Sequence, residues 1–95
     1  MNEKSLDKYI QLFKALANEE RLEIVRLLKK NKEMCAQEVE HHFFLEQSTT
    51  SHHLNTLKRA GITKARKEGR KVFYSIDSES FSTIWNGFST FMLND

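Results

Sequence analysis

The stretch that decides the fold is residues 47–76, QSTTSHHLNTLKRAGITKARKEGRKVFYSI. Its first half predicts a helix over residues 47–60, because the inward positions recur at three- and four-residue steps. Gly61 follows directly and is a common residue at the C-terminal end of a helix. The predicted inward residues of this helix are Thr50, His53, Leu54 and Leu57.

The second half of the stretch changes to strand-like periodicity. Residues 62–66 and 71–76 are predicted strands, and they flank Lys67-Glu68-Gly69-Arg70, which contains the glycine that a hairpin turn favours. One face of the second strand carries Val72, Tyr74 and Ile76, and the other carries Phe73 and Ser75. The stretch therefore predicts a helix that leads into a β-hairpin.

Three helices are predicted upstream, over about residues 4–17, 19–30 and 36–43. Asn18 is a good N-cap for the second helix, and two acids follow it in the first turn. The apolar stripe of the first helix is Leu6, Tyr9, Ile10, Phe13, Leu16 and Ala17. The predicted inward residues are Leu22, Ile24, Val25, Leu27 and Leu28 in the second helix, and Val39, His42 and Phe43 in the third.

A last helix is predicted over about residues 78–93. The core of a domain this small cannot bury all of the apolar side chains of this helix. We expect this helix and the first helix to form a homodimer interface, because an uncovered apolar patch promotes aggregation. The expected interface residues are Leu6, Tyr9, Ile10, Phe13, Phe81, Ile84, Trp85, Phe88, Phe91 and Met92.

The order of these elements predicts a mainly α fold with a small β-hairpin, α-α-α-α-β-β-α, which is a winged helix-turn-helix. At 95 residues, the chain is expected to be one domain. Within it, residues 4–17 and 78–93 would serve dimerisation, residues 36–60 would form the helix-turn-helix, and residues 62–76 would form the wing.

Composition narrows the class of protein. The single cysteine, Cys35, excludes an intramolecular disulfide, and the sequence has no apolar run of about 18 residues that could span a membrane. The N-terminus lacks an apolar signal core, so the expected compartment is the cytoplasm. No phosphate-binding glycine motif and no credible catalytic pair occurs, so we expect no enzyme activity and no cofactor.

Positive charge is concentrated in one third of the chain. Residues 45–76 contain seven basic and two acidic residues, whereas the rest has eight basic and eleven acidic ones. A basic helix end and hairpin are where a winged domain meets double-stranded DNA. The expected DNA-binding residues are Gln47, Ser48, Thr49, Ser51, His52, Asn55, Lys58, Arg59, Lys64, Arg66, Lys67, Arg70 and Lys71.

Three motifs, in order, resemble the arsenic-repressor (ArsR/SmtB) family. FKALANEERLEIV at residues 13–25 is similar to F-x-A-L-A-[DN]-x-x-R-L-x-I-[LV], and residues 47–62 are similar to the recognition helix Q-S-x-[VI]-S-x-H-L-x-x-L-x-x-A-G-[LI]. RKEGRKVFYSI at residues 66–76 resembles the wing. The resemblance implies a small homodimeric repressor that binds an imperfect palindromic operator and releases it when an inducer binds.

The chain departs from the pattern of the family at four places. Glu46 replaces the serine that begins the recognition helix, and Phe44 replaces the glycine of the turn, so we expect that turn to differ. Gln37 replaces the second cysteine of the C-x-C metal pair that begins with Cys35. The last helix offers only Glu79 and Asp95 toward the second metal site of the family. We therefore expect no metal site.

Some alternatives remain open on sequence alone. Cys35 is interpreted as a small, buried or half-buried residue, and the alternatives are a single-thiol redox switch and an intersubunit disulfide. His53 is interpreted as a hydrogen-bonded core residue, His52 as facing DNA and His41 as lying on the surface. A site for zinc made by Cys35 with His41 or His42 is a further alternative, and so is a winged domain that binds protein instead of DNA.

Overall fold

The computed structural model describes residues 3–94. The helices are α1 (Glu3–Leu16), α2 (Glu19–Asn31), α3 (Ala36–Phe43), α4 (Gln47–Arg59) and α5 (Ser78–Leu93), and the strands are β1 (Met34–Cys35), β2 (Thr63–Glu68) and β3 (Lys71–Ile76). The predicted winged helix-turn-helix is confirmed. Met1, Asn2 and Asp95, which the predicted domain included, lie outside the described residues.

The wing is part of a three-stranded antiparallel sheet with the order β1-β3-β2. β3 lies where it was predicted, but β2 continues through Lys67 and Glu68, which were predicted to lie in the turn, because both residues pair with β3. β1 was not predicted, because two residues are too few to show any periodicity. In the register of the sheet, Cys35 lies opposite Phe73, and Phe73 lies opposite Arg66. β1 therefore connects the wing to the residues that lead directly into α3.

The core forms between the helices and the inner face of the sheet. Its fully buried side chains include Leu12, Ile24, Leu28, Leu54 and Leu57. The predicted apolar stripe of α1 did not include Leu12, which lies one helical turn before Leu16 and packs in the same core. The core side of α1 therefore adjoins the predicted stripe.

Two predictions of inward residues were wrong. Leu22 is 50% exposed, because the core side of α2 is formed by residues 24, 27 and 28, which lie at a different angle around the helix. His42 is exposed as well, since the buried residue of α3 is Val39 and Phe43 is one helical turn beyond it. The remaining predicted inward residues of α2 and α3 are buried or partly buried.

The ends of the helices follow local chemistry. The Asn18 side chain accepts a hydrogen bond from the backbone N–H of Arg21 at 2.9 Å and caps α2 as predicted. Gly61, after α4, has φ +81°, and a Cβ there would lie 2.7 Å from both Ile84 and Ser80 side-chain atoms. The backbone angle therefore favours glycine at this position, and a larger residue would also require the Ile84 and Ser80 side chains to shift.

The turn between α3 and α4 contains a residue in a disfavoured backbone conformation. Phe44 adopts the left-handed conformation, with φ 56° and ψ 39°. Its N–H still donates to the Glu40 carbonyl, and its side chain is 94% exposed. The backbone reversal needed to begin α4 thus overrides the preference of phenylalanine for negative φ.

Among the described residues, no helix is both long and apolar enough to cross a membrane.

Candidate nucleic-acid interface

Helix α4 has a buried side that faces the core and an opposite side that is exposed and polar. Thr50, His53, Leu54 and Leu57 are its buried residues, as predicted. The predicted DNA-facing residues lie on the other side, and Thr49 alone among them is half-buried; the exposed ones are Gln47, Ser48, Ser51, His52, Asn55, Lys58 and Arg59. The uncharged hydrogen-bonding groups lie toward the N-terminus of the helix, and the two cations lie in its last turn.

The wing continues this polar surface with cations. Lys64, Lys67, Arg70 and Lys71 are all exposed. The turn between the strands consists of Gly69 and Arg70, because Glu68 pairs with Lys71 in the register and Gly69 has φ +61°. Arg70 therefore lies at the tip of the hairpin, from which a side chain can reach into a groove of a duplex.

Arg66 differs from the other wing cations because its guanidinium is already paired. Its Nε and Nη2 donate to the two carboxylate oxygens of Glu33 at 2.8 and 2.7 Å, and its Nη1 donates to Glu68 at 2.9 Å. The guanidinium carbon lies 4.9 Å from the centre of the Phe73 ring. We call Arg66, Glu33, Glu68 and Phe73 the Arg66 cluster.

The Arg66 cluster changes the acid–base properties of its members. The hydrogen bonds from Arg66 lower the pKa of Glu33 from its ordinary value, and the bonds to Glu33 and then Glu68 raise the pKa of Arg66. The formal charges of the two carboxylates and the one guanidinium add up to −1. Sequence analysis could not find this cluster, since Glu33 and Arg66 are 33 residues apart.

His53 lies in a second network that sequence analysis found only in part. The ring is 5% exposed, and its Nδ1 lies 3.2 Å from Nη1 of Arg21. Because a guanidinium can only donate, Nδ1 accepts, and Nε2 carries the proton that it donates to Glu20 at 2.9 Å. Arg21 also donates to the backbone carbonyls of Ala15 and Lys14. The network therefore fixes the DNA-facing helix α4 to the α1–α2 junction.

Cys35 is buried, with 3% exposure, in the short strand β1. Its backbone N–H donates to the Glu38 carboxylate at 3.0 Å, and this hydrogen bond is the main reason why the pKa of Glu38 is lowered. The interpretation as a buried small residue is confirmed. Within residues 3–94, no three His, Cys, Asp or Glu side chains come together in a way that could hold a metal ion.

The predicted dimer residues lie on α1 and α5, and we call them the α1–α5 face. Two of them, Phe81 and Ile84, also pack against the core of the domain. Tyr9 and Phe13 of α1 contact Phe88 of α5, with ring centres 5.3 and 4.8 Å apart. Six of the ten residues remain exposed in the single chain, namely Leu6, Ile10, Phe13, Trp85, Phe91 and Met92. None of the 16 residues of α5, all within the described part of the chain, is buried.

Comparisons with known proteins agree with this geometry. Residues 18–64 match the family described as bacterial regulatory protein, arsR family. An uncharacterized HTH-type transcriptional regulator of Methanocaldococcus jannaschii is 47% identical over 78 residues, which cover 82% of this chain and 88% of that protein. A CadC homolog of Staphylococcus aureus, a cadmium resistance transcriptional regulatory protein, is 42% identical over 69 residues, covering 73% of this chain and 57% of that protein.

A solved structure shares the fold over most of its length. The solution structure of the homodimeric winged helix-turn-helix DNA-binding domain Mb0332 from Mycobacterium bovis, described as a possible ArsR-family transcriptional regulator, has a TM-score of 0.76. The two chains are 29% identical, and the match covers 97% of this chain and 86% of that chain.

Proposed function

Because the chain belongs to the arsR family of bacterial regulatory proteins and is a DNA-binding transcriptional regulator, we propose that it acts as a homodimeric repressor. The dimer binds an imperfect palindromic operator and releases it in response to a signal other than a thiolate-bound metal. The observation that carries this proposal is the polar face of α4, which opposes four buried residues and continues into the exposed cations of the wing.

The two parts of this surface have different roles in the proposed complex. Gln47 and Asn55 can each form two hydrogen bonds to adenine in the major groove, so they are candidates for reading sequence. Ser48, Thr49, Ser51 and His52 lie at the same end of α4 and extend that contact. The cations Lys58, Arg59, Lys64, Lys67, Arg70 and Lys71 contact phosphates, which sets affinity and orientation without reading bases. Arg66 was expected in that group too, but its guanidinium is already paired with two carboxylates.

The α1–α5 face supports the proposed dimer. Six large apolar side chains stay exposed on two adjacent helices, and a second copy of the same face would cover them. A two-fold dimer places two α4 helices in successive major grooves about 34 Å apart, which requires a palindromic operator. Membership of a family of DNA-binding regulators supports a location in the cytoplasm.

A thiolate-bound metal is not proposed as the signal because the chain has too few cysteine ligands. A thiolate metal site needs three or four Cys or His ligands, and this chain has one cysteine, which is buried. Burial of Cys35 also limits access of oxidants to the thiol, so the geometry does not favour the single-thiol redox alternative.

The test is selection of bound fragments from genomic DNA, followed by anisotropy titrations of the best fragment with the whole chain. We expect a palindromic site and a preference for it over scrambled duplex. Gln47→Ala should change which bases are preferred, and Gln11→Ala, at an exposed glutamine of α1, is the matched control that should bind as wild type does. The absence of any duplex binding at low salt would refute the proposal and support a winged domain that binds protein.

A further inference from the structure

The cation that the sequence places in the middle of the wing is poorly suited to bind a phosphate. Three of the five N–H donors of Arg66 are used by carboxylates, and the fork of Nε and Nη2 on Glu33 is bidentate. A phosphate that approached this guanidinium would meet two carboxylates within the same cluster, whose net charge is −1. By contrast, Lys64, Lys67, Arg70 and Lys71 form no ion pair within residues 3–94 and are exposed.

The position of Arg66 in the sheet indicates what the ion pair does instead. Arg66 belongs to β2, Glu33 immediately precedes β1, and β3 lies between these two strands. The Arg66 side chain therefore crosses β3 over the Phe73 ring and reaches Glu33 at the opposite edge of the sheet. One residue thus links all three strands.

This link connects two parts of the proposed DNA-binding surface. β1 ends at Cys35, and α3, the first helix of the helix-turn-helix, begins at the next residue. β2 and β3 carry the wing cations. The pairing of β1 with β3 involves only two residues of each strand, so the Arg66 cluster adds a second connection between the hairpin and the segment that leads into α3.

We propose that Arg66 is a positioning residue that fixes the direction of the wing through Glu33, and that it does not itself bind a phosphate. This inference rests on the proposed function only in that the wing contacts DNA. The planar fork of arginine is required, because a lysine ammonium at the same place cannot form the bidentate pair and the stacking contact together.

The experiment compares Glu33→Gln, Arg66→Lys and Glu68→Gln with wild type in operator binding across a salt series. Glu33→Gln removes a negative charge next to DNA, so general electrostatics would raise affinity. Positioning predicts instead a loss of roughly five- to tenfold, on the scale of typical coupling between sites. Arg66→Lys should lose a similar factor although the charge is kept, and neither variant should change the slope of log K against log salt.

Glu68→Gln is the matched control, because it removes the same charge from the same guanidinium but links no second strand. It should bind within about twofold of wild type, since the Glu33 fork remains. The proposal is overturned if Glu33→Gln binds as tightly as wild type or more tightly, or if Arg66→Lys binds as wild type. It is also overturned if Arg66→Ala makes the salt slope less steep by about 2 per dimer, the loss of one phosphate contact in each protomer.

A second measurement separates this proposal from the proposed function. Hydrogen exchange of the β2 and β3 amides, measured without DNA, should be faster in Glu33→Gln than in wild type, while the α2 and α4 core amides remain protected. Unchanged exchange in the wing would overturn the positioning role. If the wild-type chain bound no DNA, the proposed function would fail, and the exchange measurement would still decide whether Arg66 holds the wing.

Discussion

Replacing Ile10 with glutamate tests the α1–α5 face at a site where the substitution should have little effect on the stability of the single chain. Ile10 is 50% exposed, so half of its apolar surface remains to be covered in a dimer. Full burial of such a side chain contributes about 1.5–3 kcal/mol, so the remaining half contributes about 1 kcal/mol per protomer. Placing a carboxylate in the interface costs at least about 1 kcal/mol more per protomer.

Because the two-fold interface contains two copies of this position, the change weakens the dimer by about 4 kcal/mol, or about a thousandfold in its dissociation constant. Sedimentation velocity over a dilution series measures this directly. We expect a wild-type dimer at micromolar concentration and an Ile10→Glu monomer that keeps its helical circular dichroism. Operator affinity should also fall, because the monomer can place only one α4 helix on the DNA.

Phe44→Glu is the matched control, since it introduces the same charge at a more exposed apolar residue, in the turn between α3 and α4. It should sediment as wild type does. A wild-type chain that is monomeric at micromolar concentration would refute the proposed interface, and so would an Ile10→Glu chain that dimerises normally.

Four further outcomes are expected. Operator binding should weaken steeply with salt, with a slope of about −5 to −7 for six to eight phosphate contacts per dimer, and a flat response would contradict the phosphate contacts. Thr50→Val should raise the free energy of unfolding by about 1 kcal/mol in urea titrations, because the buried Thr50 hydroxyl has no hydrogen-bond partner among the described residues; a loss of stability would show that it has one. Arsenite, zinc or cadmium at low micromolar concentration should leave operator binding unchanged in wild type and in Cys35→Ala alike, whereas release from wild type alone would reveal a thiolate site. The stability advantage of wild type over Glu33→Gln should be present at neutral pH and disappear as pH falls below 4.5, through the lowered pKa of Glu33; an advantage that persists in acid would contradict the ion pair.

The helix-turn-helix and the hairpin were predictable from sequence because local signals mark them. Asn18 caps α2, Gly61 ends α4 and Gly69 begins the turn of the wing, and each of these effects acts within a few residues. The buried side of α4 was also predictable, because a helical period of 3.6 residues needs no knowledge of the partner element. The polar face of α4 followed as its complement.

Long-range contacts decided the remaining features. β1 has only two residues and exists because β3 offers an edge for pairing, so no pattern within the chain marks it. Leu22 was predicted to face inward because it is apolar, yet it is half exposed, since the side of α2 that the other elements cover is the one with residues 24, 27 and 28. Phe44 takes a left-handed conformation because the chain must reverse between two packed helices, which outweighs its local preference.

The contrast between what the sequence determines and what the tertiary structure determines is greatest for the charged residues of the wing. Residue types and spacing showed that the wing is basic, because charge is a property of each side chain. Whether a given cation is available to a phosphate depends on what the fold places beside it, and for Arg66 that is a carboxylate 33 positions earlier in the chain. Composition therefore determined the sign of the surface, and the pairing of strands determined which of its cations are already bound.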